Sequence, residues 1–273
     1  MSTFPPFQAR PLDDSGTDEA IALAAALGAH GIYLANALDA AQGEAIGLWG
    51  RDALLGCLWF GPRGNLIVLE REPLAPVQVA DAVHRSYWPW RIALGPGPCV
   101  DELARRLSGP PLVHRDQVYH GCTPDAVAGA LAAADARRAS RTDRDRLMLA
   151  TLELNRTDLN VDPRRVDRRW LRDMIAERVR DGTAWVLGPP GAFHSKVDLG
   201  SAGRAGIVLE GVFTFPEARG RGHAAALVAA VAASVPNGAM ACLHVAADNA
   251  PARRAYERAG LRELERFRLL LAN

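Results

Sequence analysis

Apolar positions along this chain fall into two patterns, the 3.6-residue spacing of a helix and the short unbroken run of a buried strand. Residues 17–28 show the first, with Thr17 as N-cap before "DEAIALAAAL". Three short apolar runs follow, "GIYLANAL", "EAIGLWG" and "ALLGCLWFG", and "PRGN" turns the chain into "LIVLER". "APVQVADAVHRSY" is a predicted helix with Pro76 in its first turn, "WRIALG" a strand, "PCVDELARRLSG" a helix ended by Gly109, and "PLVHRDQVYHGCT" a strand. Residues 1–122 therefore read as an α/β domain, with mostly antiparallel strands early and helix crossovers later.

The pattern then changes. Thr123 and Pro124 form an N-cap and N1 pair, a helix is expected to about Arg138, and "RRASRTDRDR" reads as a solvated linker. Residues 123–142 are accordingly a helical linker, and residues 143–273 a second domain. "RLMLATLEL" is apolar. "DPRRVDRRWLRDMIAERVRDG" predicts an amphipathic helix with Val166, Trp170, Met174, Ile175 and Val179 as its core stripe. "TAWVLG", "AFHSKVDLG" and "AGIVLEGVFTF" read as successive strands joined by "GPPG" and "GSAGRAG". "AMACLHVAA" is a strand, "NAPARRAYERAG" a short helix closed by Gly260, and "LRELERFRLLLA" a final strand. Both halves run from a helix through consecutive strands to strand–helix–strand, an architectural duplication without evident sequence identity.

Composition narrows the chemistry. The chain has 273 residues and a net charge of +1, so no overall field draws it to nucleic acid or to an anionic membrane. Neither partner is expected, and "RRASRTDR" is interleaved with acids rather than aromatics. Cys57, Cys99, Cys122 and Cys242 are far apart without CxxC spacing, which fits reduced buried thiols rather than a zinc site. The first residues lack a basic start and an apolar core, and no apolar run suggests a membrane span, so a cytoplasmic protein is expected. Lys196 is the only lysine.

The stretch "PEARGRGHAAALVAAVAA" carries a specific chemical signal. Gly220 and Gly222 sit where a strand gives way to a helix. Glycine admits positive φ and leaves the backbone open to a ligand. The helix start offers unpaired N–H groups and a positive dipole end, together an anion site. Arg219 and Arg221 add charged donors. No G-x-x-x-x-G-K-[ST] loop and no G-x-G-x-x-G fingerprint is present, so triphosphate hydrolysis and NAD binding recede.

"EGVFTFPEARGRGHA" and "NAPARRAYERAGL", about 25 residues further on, together resemble the GCN5-related N-acetyltransferase (GNAT) superfamily. Arg219, Gly222 and Ala224 match its [QR]-x-x-G-x-[GA] motif. Asn249, Ala252, Tyr256, Gly260 and Leu261 match N-x-x-A-x-x-x-Y-x-x-x-G-[FL]. The resemblance covers about residues 143–273. More loosely the whole chain looks like two-domain GNAT proteins with a degenerate N-terminal half. Residues 1–122 show no second such motif, so no second acetyl-CoA site is expected there.

The resemblance implies a mixed, mostly antiparallel sheet flanked by helices, preceded by a smaller related α/β domain. It implies acetyl-CoA as co-substrate, with direct transfer that needs no metal. The strand before the cradle would splay and offer backbone groups of Phe213, Thr214 and Phe215 to the pantetheine arm. The N–H groups of Arg221, Gly222, His223, Ala224 and Ala225, with Gly220 and Arg219, would meet the pyrophosphate. Asn249 and Ala252 would line the cofactor, and Asn249 also suits a helix cap. Tyr256 would be the general acid that protonates the leaving thiolate. Glu210 and His244 are the two base candidates. Lys196 and Asp198 on "HSKVDLG" are noted without a role. The acceptor is a primary amine of unread identity, and a homodimer is one possible assembly. The competing reading is a non-catalytic acyl-CoA-binding or regulatory protein of the same fold.

Overall fold

In a computed structural model the chain is described over residues 4–123, 126–127, 135–235 and 239–273. Two runs of elements follow one another in the same order. The first is β1 (Gln8–Pro11), α1 (Asp14–Ala26), α2 (Ile32–Asp39), β2 (Glu44–Trp49), β3 (Leu54–Phe60), β4 (Asn65–Glu70), α3 (Pro76–Arg85), β5 (Ile92–Gly95), α4 (Gly97–Arg105) and β6 (Val113–Cys122). The second is β7 (Ala136–Arg138), α5 (Arg144–Asp158), α6 (Arg168–Arg180), β8 (Ala184–Leu187), β9 (Ser195–Gly203), β10 (Gly206–Thr214), α7 (His223–Ala232), β11 (Met240–Ala246), α8 (Ala250–Arg258) and β12 (Arg262–Leu271). The architectural duplication is thus present in the element order.

Contacts divide the chain into two units. One holds the residues through Tyr119 together with Glu265–Asn273, the other His120–Leu264. Both divisions fall inside strands, β6 and β12. Arg268–Leu271 of β12 accordingly pair antiparallel with Ile92–Gly95 of β5 in the first unit.

In the first unit β1, β2, β3 and β4 pair antiparallel in sequence, and β4 pairs parallel with β5. Leu48, Leu58, Phe60, Leu66 and Val68 pack against α3 and α4. In the second unit β7, β8, β9 and β10 pair antiparallel, and β10 pairs parallel with β11. Strand alternation sends Leu187, Val197, Ile207 and Leu209 toward α7 and α8. It sends Ala184 and Val186 toward α5 and α6, where Leu147, Leu171 and Ile175 meet them. The fold class is mixed α/β, mostly antiparallel, with helices on the sheet faces.

Several local expectations are corrected. "GIYLANAL" forms α2, a helix with Ile32–Ala37 all buried. A run apolar on every side has no readable period. The cap of α1 is Asp13, whose carboxylate accepts from Gly16 N–H at 2.8 Å, and Thr17 lies inside the helix. α4 ends at Arg105, before Gly109. Trp170 is 54% exposed, and Leu171 takes its place in the core with Ile175. Most of the helix expected over 123–138 lies outside the described residues, and its end, Ala136–Arg138, is a strand.

The charged stretch "RRASRTDRDR" is not simply solvated. Asp143 is fully buried within it. Its carboxylate accepts from Arg137 Nη1 (2.8 Å) and Nη2 (3.1 Å), Ser140 N–H (2.7 Å), Ser140 Oγ (2.8 Å) and Gly191 N–H (2.8 Å). Burial alone would raise its pKa, but these donors hold the carboxyl well below the usual carboxylate range. Asp143→Ala leaves these donors unpaired and is expected to destabilise the protein by about 3 kcal/mol in urea unfolding. Because the folded-state pKa is depressed, the wild-type contribution is present above the unfolded carboxylate pKa. It is lost as pH falls toward the folded value.

Candidate functional site

β10 and β11 stay together for three residue pairs only. Gly206, Ile207 and Val208 face Met240, Ala241 and Cys242, and the pairing stops there. β10 keeps its other neighbour, β9, as far as Thr214. Two parallel strands therefore part, and their backbone pairing does not extend into residues 209–214. A bulge marks the parting. Glu210 pairs with Asp198 and Phe213 with Lys196, so Gly211 and Val212 together oppose Val197. Gly211 has φ +59°, in the left-handed region.

The end of β10 is tied down on one side. Phe215 N–H donates to His194 O at 3.1 Å, and Ser195 Oγ donates to Phe213 O at 3.0 Å. By alternation Thr214 turns its backbone to the gap, and Arg219 Nε donates to its carbonyl at 3.1 Å. Of the three residues expected to offer backbone groups, Thr214 is thus the one facing the opening.

Beyond β10 the chain forms the predicted turn. Gly220 and Gly222 have φ of +76° and +81°, and a Cβ on either would meet nothing within 4 Å. The glycines serve conformation, and the space beside them is open. The first bond of α7 runs from Ala226 N–H to Gly222 O at 3.0 Å. The N–H groups of Arg221, Gly222, His223, Ala224 and Ala225 therefore bond nothing among the described residues. Basic side chains flank the turn. The His223 ring stacks on His194 at 5.0 Å. Arg146 from α5 lies 3.7 Å over the Phe215 ring and pairs with Glu217 at 3.1 Å. Burial, His194 and Arg221 together push the His223 pKa down.

Asn249 caps α8: its side chain accepts from Ala252 N–H at 3.2 Å. Tyr256, two turns on, is 6% exposed and packs in the core shared with α7, its ring 6.0 Å from that of His120. Its hydroxyl has no hydrogen-bond partner among the described residues. Burial, then Asp158, push the phenol far up, so it stays protonated.

Glu210 and His244 occupy the opposite face. Ile207, Leu209, Ala241, Leu243 and Val245 point toward α7 and α8, so alternation turns Glu210 and His244 toward the side of α5 and α6. The acid and base candidates therefore lie on opposite faces, with the strand gap between them. Glu210 lies across Gly200, where a Cβ would fall 2.0 Å from its carboxyl carbon. It also approaches Arg178 Nη2 at 3.9 Å. Arg178 pairs with Asp198, and so does the buried Lys196.

Sequence reasoning singled out Lys196 and Asp198 but missed Arg178, Gly211, His194 and Arg146. These come from four separate elements or their ends, and only the glycine in "LEGVF" marks the bulge. Cys57 and Cys99 are pushed up to about 12 and Cys122 to about 11 by burial, so none of these is a thiolate nucleophile. Among the described residues no cluster suits a metal ion, and no helix is long and apolar enough to cross a membrane.

Residues 203–269, which span the gap, the cradle and α8, match the family model for FR47-like proteins. A protein of Drosophila superposes with TM-score 0.67 at 13% identity, over 97% of this chain and 98% of that one. A GCN5-related N-acetyltransferase from Sphaerobacter thermophilus gives TM-score 0.54 at 17% identity, over 98% and 96%. A GNAT-family acetyltransferase from Colwellia psychrerythraea gives 0.53 at 12% identity, over 98% and 100%. The fold is the GNAT fold. No curated protein matches this sequence. The GNAT likeness extends through both runs of elements, while the FR47-like match is confined to the second. At the junction of β4 and α3, the first run's counterpart of the cradle, the Glu70 carboxylate accepts from Leu74 N–H at 3.0 Å, and Pro76 opens the helix.

Proposed function

We propose that this chain is an N-acyltransferase that moves an acetyl group from acetyl-CoA to a primary amine by direct transfer. The observation that carries the reading is the parting of β10 and β11 beside a glycine turn whose N–H groups bond nothing among the described residues. The peptide-like pantetheine arm fits the gap, with Thr214 as backbone partner. The pyrophosphate fits the N–H groups from Arg221 to Ala225, where helix dipole and nearby cations favour an anion. On this reading the thioester lies near Gly211. Tyr256 then donates a proton to the departing thiolate from the α8 face, and the amine arrives from the face of Glu210 and His244. Holding the two reactants in line supplies much of the rate. The first unit serves as a companion domain without a cofactor cradle of its own. An acidic side chain and a proline occupy the corresponding junction, and both disfavour an anion.

Thermal melts with millimolar acetyl-CoA test the cofactor half of the proposal, since a ligand held only by the folded state raises the melting temperature. A panel of primary amines monitored by CoA release tests the transfer half. No shift removes the cofactor. A shift without release from any amine leaves an acyl-CoA-binding protein.

The histidine pair makes cofactor affinity depend on pH. His223 is held down in the free protein by burial, His194 and Arg221. A bound pyrophosphate favours its charged form and raises its pKa, so binding takes up a proton. Affinity for acetyl-CoA is therefore expected to rise several-fold as pH falls from 8 to 6. Calorimetric titration at the two pH values reads the effect, and His223→Ala is expected to flatten it.

A further inference from the structure

The chain's only lysine stands beside the point where the strands part. Lys196 is 1% exposed. A methyl group on Gly211 would come within 3.0 Å of its Nζ and of Asp198 Oδ2, so the bulge lies directly against this pair. Asp198 Oδ2 accepts from Lys196 Nζ and from Arg178 Nη1 alike. One buried carboxylate thus faces two cations. The other acid nearby, Glu210, is partly exposed and stands 3.9 Å from Arg178. Among the described residues Lys196 is faced by Asp198 on its own strand, Glu210 on β10 and Arg178 on α6, and His244 of β11 turns to the same side. α5 brings the uncharged Leu147 and Thr151 to the cavity beside Lys196, and Leu154 to the bulge.

Buried Lys196 and part-buried Arg178 share the one buried carboxylate, and Glu210, partly exposed at 3.9 Å from Arg178, offsets the excess positive charge only from the rim, so keeping both cations charged is costly. Loss of the Lys196 proton removes the excess while keeping the Arg178–Asp198 pair. The balance of effects agrees: burial pushes the lysine down, Asp198 pulls it up by its charge and its hydrogen bond, Arg178 pushes it down and Glu210 pulls it up, with a net downward shift. A small cavity lies alongside, lined by Thr151, Met174, Ile175, Arg178, Lys196 and Asp198, on the face turned to α5 and α6. Its volume, about 10 Å³, is that of one water-sized sphere, with Thr151, Arg178, Lys196 and Asp198 as the polar groups beside it.

We infer that Lys196 is the neutral proton acceptor for the incoming amine, held in place by Asp198 beneath the Gly211 bulge. The inference rests on the acyl-transfer reading. The acceptor arrives as an ammonium and gives one proton to Lys196 Nζ, directly or through one water. The freed amine attacks the thioester carbonyl carbon, the C–N bond forms and the C–S bond breaks. The thiolate takes the Tyr256 proton, and the second nitrogen proton restores Tyr256. Lys196 returns its proton to solvent. Ammonium and acetyl-CoA thus give N-acetylamine, CoA thiol and one proton.

Because the chain holds one lysine, selective ¹³C/¹⁵N-lysine labelling gives a single side-chain signal. NMR titration of the wild-type protein then reads Lys196 without any variant. The expected midpoint lies below that of an ordinary lysine, and a lysine that stays charged through the ordinary lysine range overturns the inference. Lys196→Arg fixes the positive charge. With acetyl-CoA and the amine panel it is expected to lower kcat at least tenfold, while the acetyl-CoA melting shift stays as in the wild type. Lys196→Met is expected to do the same. Either folded variant within twofold of wild-type kcat also overturns the inference. A wild-type protein that neither binds acetyl-CoA nor releases CoA would instead defeat the acyl-transfer reading, and the lysine titration would still decide the ionisation of Lys196.

Discussion

Gly222→Asp is expected to abolish the rise in melting temperature that acetyl-CoA gives the wild-type protein. The free protein should tolerate the change. Gly222 has φ +81°, and a Cβ there meets nothing within 4 Å, so the cost is the left-handed conformation alone, about 1 kcal/mol. Aspartate is also a good N-cap, and its carboxylate can take the N–H groups at the start of α7. That is the reason for the loss of ligand. The donors proposed for the pyrophosphate become occupied, and a negative charge stands where another must bind. At a ligand concentration of about 100 times Kd the wild type gains about 2.7 kcal/mol, and the variant should gain nothing measurable. Gly222→Ala separates the two effects, because it carries the backbone strain without the charge and should keep part of the shift. An undiminished shift in Gly222→Asp would refute the placement of the cradle.

The glycine turn and the helix start after it were legible in the sequence because their physics is local. Two glycines, flanking arginines and an alanine-rich helix fall within one short stretch, and the positive φ values at Gly220 and Gly222 follow from residue type. Asn249 was legible for the same reason, as a cap three residues before the N–H it accepts. The cluster at Lys196 was not. Its members are spread over α6, β9 and β10, and they meet because alternation on two strands turns Asp198 and Glu210 to the same face. Only the rarity of lysine drew notice to it. The bulge at Gly211 depends on register with β9, which no single strand reveals. Asp143 was misread because a charge run seen in one dimension looks solvated, whereas folding wraps Arg137, Ser140 and Gly191 around its carboxylate. The failure at α2 is of another kind. Buried on every side, "IYLANAL" lacks the polar stripe that distinguishes a helix from a run of strand.

Tyr256→Phe is expected to lower turnover by about a hundredfold or more, with acetyl-CoA affinity within about threefold of wild type. The hydroxyl bonds nothing among the described residues, so its removal breaks no native hydrogen bond and should leave the melting temperature nearly unchanged. The ring, packed in the core with α7, stays in place. A stability loss therefore cannot explain a loss of rate at this position. The pH profile adds an independent check. Burial and Asp158 push the phenol upward, so Tyr256 remains a proton donor throughout the neutral and mildly alkaline range. Any fall in kcat on the alkaline side below the ordinary phenol pKa must come from another group, and that limb should persist in Tyr256→Phe at reduced amplitude. The raised pKa also sets the limit of the role. A weaker acid transfers its proton late, when the C–S bond is largely broken and the sulfur carries most of its charge. The penalty for losing the hydroxyl should thus shrink with acyl-CoA analogues whose leaving thiol is more acidic. Turnover in Tyr256→Phe equal to wild type would exclude the residue as the acid.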